Sequence, residues 1–154
     1  MTQTNDINRP IIEDLYCEAL VLADEVRLVF DLNPVRDTGE DAELTRLALS
    51  VEGLRTTTRV MHVLAWLLNY RAFFAGDLNK TQLRRHSRLP ADRIPETANL
   101  IRLKEPIRAL IDESVQLHGR ISRLDTAWRS WEKSERMPVQ DLQAELGRMI
   151  ALER

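Results

Sequence analysis

The residues able to do chemistry in this chain are few and widely spread. His62, His86 and His118 could move protons or hold a metal, and Cys17 could act as a nucleophile. Such chemistry needs its groups at fixed spacings. A di-metal helical bundle uses Glu-x-x-His pairs. Here Arg59, Leu83 and Val115 stand three residues before the histidines, so the pattern is absent. The sequence also lacks a glycine-rich phosphate loop, a GxSxG elbow, HExxH and CxxC. The simpler reading of His62 and His118 is that of hydrogen-bonded histidines inside or at the edge of a core. Cys17 reads as a small buried hydrophobe with no base to activate it. The expectation is a protein that is not an enzyme, with no catalytic residue, cofactor or metal.

The remaining candidates are recognition groups. Segment 80–93 carries Lys80, Arg84, Arg85, Arg88 and Arg93, which could contact nucleic-acid phosphates. It has no interleaved aromatics on which bases could stack. It could instead be a solvated connection or meet the acidic first helix. Arg55, Arg59 and Thr56–Thr58 read as surface and boundary packing. Trp128 and Trp131 lie one helical turn apart and either close the core or face a partner.

Four helical patterns must position these groups. The first runs from about Asn8 to Leu32 after a polar arm, with Asn8 as N-cap and Pro10 in the first turn. Its apolar stripe is Ile12, Leu15, Ala19, Leu22, Val26 and Val29. Asn33-Pro34 ends it. The second runs from Asp37 or Thr38 to Ala75, with Thr38 and Asp41 resembling a capping box and Gly76 following the last turn. Its expected core stripe is Leu44, Leu47, Val51, Leu54, Thr58, Met61, Ala65, Leu68 and Ala72. Thr81–Ser87 forms one or two turns within an irregular connection. The third long helix runs from about Pro95 to Ser134 on a stripe from Leu100 to Trp131, and Pro106 either kinks it or marks its true start. A short amphipathic helix follows Pro138. The predicted fold is all-α: an antiparallel bundle of three long helices with a short C-terminal helix. Residues 1–136 form the bundle domain and 137–154 an amphipathic tail.

Within the second helix, Val60–Phe74 is apolar on nearly every side. A helix of that kind must be buried on more than one face. It is too short, and too interrupted by His62, Asn69 and Arg71, to span a bilayer. Val60, Leu64, Leu67 and Phe74 form a second stripe, so Leu64, Leu67 and Phe74 are expected to make a homodimer contact. The net charge of −2 hides an asymmetry. Residues 1–50 carry four Arg against eleven acidic residues, while residues 51–104 carry ten basic residues against four acidic ones. That is a dipolar chain, without the overall basic footprint of a nucleic-acid binder. The lone cysteine excludes an intrachain disulfide, and the N-terminus shows no signal pattern, so a reducing cytoplasm is expected.

Glu52–Gln82, EGLRTTTRVMHVLAWLLNYRAFFAGDLNKTQ, resembles the signature of the RcdA-type regulators of CtrA degradation, an alphaproteobacterial family. The likeness rests on Leu54-Arg55, Thr57-Thr58-Arg59, Met61, Trp66-Leu67-Leu68, Arg71-Ala72 and Gly76-Asp77. Pro106–Asp125 is similar to the family's last helix. The resemblance implies a dimeric three-helix adaptor in the cell cycle. Such an adaptor helps deliver CtrA-like cargo to the ClpXP protease beside a CpdR-like adaptor and, in some lineages, PopA. It offers no catalytic residues to carry over. An adaptor needs protein-binding surfaces, and Leu142, Leu146, Met149 and Ile150 of the tail could dock as a helix in a groove. Arg84, Arg85 and Arg88 are the second candidate surface. The alternative function is a DNA-binding regulator that uses those three arginines.

Overall fold

A computed structural model describes residues 3–32 and 38–135, with the isolated positions 143 and 148. Among the described residues every regular element is a helix. These are α1 (Gln3–Leu32), α2 (Glu40–Ala75), α3 (Lys80–His86), α4 (Thr97–Leu100) and α5 (Glu105–Glu135). Two compact units divide the chain, Met1–Ile121 and Ser122–Arg154, so the division falls inside α5. The expected domain boundary at 136/137 and the tail helix after it lie outside the described residues.

The helix limits follow local chemistry, with three corrections. α1 begins at Gln3, before Asn8, so the expected polar arm is helical and Pro10 lies inside the helix. A proline there withdraws one backbone donor without ending the helix. α2 begins at Glu40, so Thr38 is not its cap. Gly39 caps it instead, at φ 126°, a conformation that glycine adopts freely. Glu40, Asp41 and Glu43 then set negative charge against the positive helix end. The expected single helix from Pro95 is broken. α4 covers one turn, and α5 starts at Glu105 with Pro106 next, where a missing N–H costs nothing. The C-terminal end of α2 is as expected. Gly76 is left-handed at φ 87°, and Asp77 N–H reaches back to the Ala72 carbonyl at 2.9 Å.

Two of the three long stripes form core over most of their length as expected, but Val29, Leu100, Leu124 and Trp128 are half-buried and Trp131 at the end of the α5 stripe is exposed. Ile12, Leu15, Ala19, Leu22 and Val26 of α1 are buried, as are Leu103, Ile107, Leu110, Ser114, Leu117 and Ile121 at and along α5. The stripe of α2 is corrected. Leu44, Leu47, Leu54, Met61 and Leu68 are exposed, while Val60, Val63, Trp66, Leu67 and Tyr70 are buried. α2 has two apolar faces, and the chain buries the one carrying the bulk of Trp66 and Tyr70, whose rings lie 4.2 Å apart. Large aromatic side chains remove more apolar area from water than the leucines and alanines of the other face.

One close approach fixes how α1 meets α2. Gly53 is buried, and a Cβ built on it would lie 2.8 Å from Phe30 Cδ1. Phe30 in turn packs on the cluster of Ala48, Leu103, Ile107 and Ile111. Gly53→Ala should therefore lower stability by about 1 kcal/mol. The strain of overpacking, roughly 1–3 kcal/mol, exceeds the gain of about 1 kcal/mol in helix propensity. A shift of the urea midpoint to lower concentration would show it, and a stabilised variant would refute the contact.

Candidate functional site

The inner face of α2 carries three buried polar residues one turn apart, Glu52, Thr56 and Arg59. The first and last hold the irregular segment between α3 and α5. Arg59 is 1% exposed. Its Nε donates to Asp92 at 2.6 Å, its Nη1 to Ser114 Oγ at 2.8 Å and its Nη2 to the Arg93 carbonyl at 3.0 Å. Ser114 Oγ in turn donates a hydrogen bond to the Ile111 carbonyl. Glu52 is fully buried. Its Oε1 accepts from Arg55 Nη1, Asn99 Nδ2 and the Glu96 backbone N–H. Arg55 also donates to Glu96 at 2.6 Å. That bond raises the Arg55 pKa above its ordinary value; partial desolvation opposes the rise and the Glu52 charge adds to it. Glu52 Oε2 and Thr56 Oγ1 are buried with no hydrogen-bond partner.

Further clamps continue along the same segment. His118 Nε2 meets the Pro90 carbonyl at 3.1 Å, and Asn69 donates to the His86 carbonyl. The Pro90 and Arg93 carbonyls and the Glu96 N–H lie outside the helices, and the His86 carbonyl ends α3, so all four need side-chain partners. α1 is tied in by charge. Arg71 donates to Glu13 at 2.9 Å and lies over the Tyr16 ring, 4.1 Å from its centre. The bond to Glu13 is the main cause of its raised pKa. Arg120 of α5 pairs with Glu18. The acidic first helix thus meets arginines of α2 and α5.

A cavity of about 330 Å³ opens beside this network, lined by Leu54, Arg55, Thr58, Arg59, His62, Ala91, Asp92 and Arg93. Its arginines Arg55 and Arg59 are engaged with Glu52, Glu96 and Asp92. Their chemistry is that of anchors: they position the loop from within. His62 is half-buried at the cavity wall. Among the described residues no group of three or more His, Cys, Asp and Glu could hold a metal ion. No described helix is long and apolar enough to cross a membrane.

The expected sites land unevenly. Leu67 is fully buried within its own chain, and Leu64 and Phe74 are half-buried. A second copy can therefore cover nothing of Leu67. Arg85 and Arg88 are exposed and Arg84 is half-buried, on α3 and just after it. Leu142, Leu146, Met149 and Ile150 lie outside the described residues. Trp128 is half-buried and Trp131 is 47% exposed. His118 is the bonded interior histidine expected. Cys17 is corrected: it is exposed, because it falls off the Leu15–Ala19 face of α1. The Arg59 and Thr56 pair is corrected from boundary to interior. The clue was their spacing from Glu52, four and seven residues, which is one helix face.

A family model described as "Protein of unknown function (DUF1465)" matches residues 3–150. The chain belongs to the DUF1465 family. No curated protein and no solved structure matches it. The match takes in all five helices, and with them the Glu52–Arg59 anchor and the exposed apolar face of α2.

Proposed function

We propose that this DUF1465 chain is a non-catalytic adaptor in regulated proteolysis. In this reading its three long helices form an antiparallel bundle that works as a homodimer in the cytoplasm. It helps deliver CtrA-like cell-cycle regulators to the ClpXP protease, together with a CpdR-like adaptor. One observation carries the adaptor reading: Leu44, Leu47, Leu54, Met61 and Leu68 lie 44–70% exposed in one line along α2. An apolar run of that extent on a water-facing helix marks a protein-binding surface. The identity of the partners draws on the likeness of Glu52–Gln82 and Pro106–Asp125 to the RcdA-type regulators. Two of the arginines in the cavity wall, Arg55 and Arg59, serve the fold, which is in keeping with an adaptor. The DNA-binding alternative has less support: Arg84 and Arg85 sit on α3, a helix of seven residues.

The test is a reconstituted degradation assay with purified protease, the CpdR-like adaptor and a CtrA-like cargo. Adding the full chain should speed cargo loss several-fold. An unchanged rate over a range of chain concentrations overturns the reading.

A further inference from the structure

The cavity beside α2 has a third arginine that the fold does not use. Arg55 and Arg59 in its wall are spent on Glu52, Glu96 and Asp92. Arg93 gives only its backbone carbonyl, which Arg59 Nη2 reaches at 3.0 Å. Among the described residues its exposed guanidinium meets no carboxylate and no other acceptor. The same holds for Arg85 and Arg88, exposed a few positions earlier. The acids nearby do not balance them, because Asp92 is bonded to Arg59 and Glu96 to Arg55. A free guanidinium on the wall of a concave site suits an acidic ligand, since its planar fork takes both oxygens of a carboxylate.

The cavity is a slot between a helix and an extended strip of chain. Leu54, Thr58 and His62 stand one turn apart on α2 and line one side. Ala91, Asp92 and Arg93 line the other. The His86 carbonyl is held by Asn69, the Arg93 carbonyl by Arg59 and the Glu96 N–H by Glu52. The strip therefore runs antiparallel to α2 from Asn69 to Glu52, about 25 Å at 1.5 Å per residue. Residues 87–96 make no turn, and Pro90 and Pro95 bias the residues before them to extended backbone. Among the described residues the backbone N–H and C=O groups of Ala91, Asp92 and Ile94 bond to no other part of the chain. Apolar surface flanks the slot: Leu54 and Met61 are exposed on α2, and Ile94 is 82% exposed on the strip.

We infer that this slot binds an extended, acidic segment of a partner protein. The segment seats an apolar side chain against Leu54 and Ala91 and sets a neighbouring carboxylate on Arg93. Unpaired backbone groups of the strip bond its main chain, as extended peptides are commonly held. The cavity, about 330 Å³, is at the small end of ligand sites, roughly 300–1,000 Å³, and admits a side chain or two. Uncompensated positive charge selects an acidic peptide over a basic one. Nucleic acid is the poorer fit, because no aromatic side chain lines the slot for a base to stack on. The inference rests on the adaptor reading and deepens it by giving the chemistry of one partner.

Fluorescence anisotropy with the full chain tests the slot. The probe is a labelled heptapeptide that alternates leucine with glutamate. It should bind with a Kd of about 100 μM or tighter. Exchanging its glutamates for lysine, or its leucines for serine, should weaken binding at least about tenfold. Arg93→Glu and Leu54→Glu should each weaken the acidic probe by about tenfold or more, and Arg93→Glu should bind the lysine probe better than wild type does. Both side chains are exposed and neither holds the strip, so the helicity of both variants should match wild type. Amide shifts on adding the probe should centre on Leu54, Thr58, His62 and residues 91–94. An acidic probe that shows no binding up to about 1 mM overturns the inference. So does an Arg93→Glu variant that binds it like wild type, or a set of shifts that avoids the slot. A single-stranded oligonucleotide that outbinds the acidic probe and is lost in Arg93→Glu assigns the surface to nucleic acid and overturns it too. No protease enters these readouts. A chain that takes the probe but leaves the degradation rate unchanged keeps the slot and loses the proteolytic role.

Discussion

Arg59→Ala should destabilise the chain by about 3–5 kcal/mol, a large part of the stability of a domain of this size. The alanine removes three hydrogen bonds from a side chain that is 1% exposed. It leaves the Asp92 carboxylate, 18% exposed, facing a void where its countercharge stood. It also frees the Arg93 carbonyl. Ser114 suffers least, because its hydroxyl still donates to the Ile111 carbonyl. Arg59→Lys should recover only part of the loss. One ammonium cannot span three acceptors that a planar guanidinium reaches from Nε, Nη1 and Nη2. Urea unfolding followed by circular dichroism measures both variants. Amide exchange should quicken across residues 88–96, because that segment is held by side chains. A loss below about 1 kcal/mol for the alanine variant would mean that the network is incidental.

The same network explains what was legible in the sequence. The stripes of α1 and α5 could be read directly, since each has one apolar face and periodicity then names the core. α2 has two apolar faces. Period alone counts them but does not rank them. The rank depends on bulk, on Trp66 and Tyr70 against Ala65 and Thr58, and on partners far away in sequence. Glu52 and Arg59 look like surface residues until Asp92, Arg93, Glu96 and Asn99 come round to satisfy them. A charged residue is buried only where such partners exist, and here they lie more than thirty positions away. The motif that resembles the RcdA-type regulators has the same character. Arg59 anchors a loop, Trp66 fills the core, Arg71 ties α1 to α2, and Gly76 ends the helix. These four have scaffold roles, while Leu54, Thr58, Met61 and Leu68 of the same motif lie on the exposed face of α2.

The second large effect follows from that exchange of faces. Leu67→Ala should cost about 3–5 kcal/mol, because Leu67 is fully buried and a truncated leucine leaves a cavity as well as lost transfer energy. Leu54→Ala on the same helix should cost under about 0.5 kcal/mol in the dissociated chain, since that side chain is 70% exposed. The two variants therefore separate stability from assembly. Leu67→Ala should shift the urea midpoint at every protein concentration by the same amount. Leu54→Ala should leave the midpoint of the monomer unchanged and lower it only where wild type is associated, because mass action adds to stability only what the partner binds. If Leu67→Ala left the dilute chain as stable as wild type and weakened only its association, the buried and outward faces of α2 would have to be exchanged again.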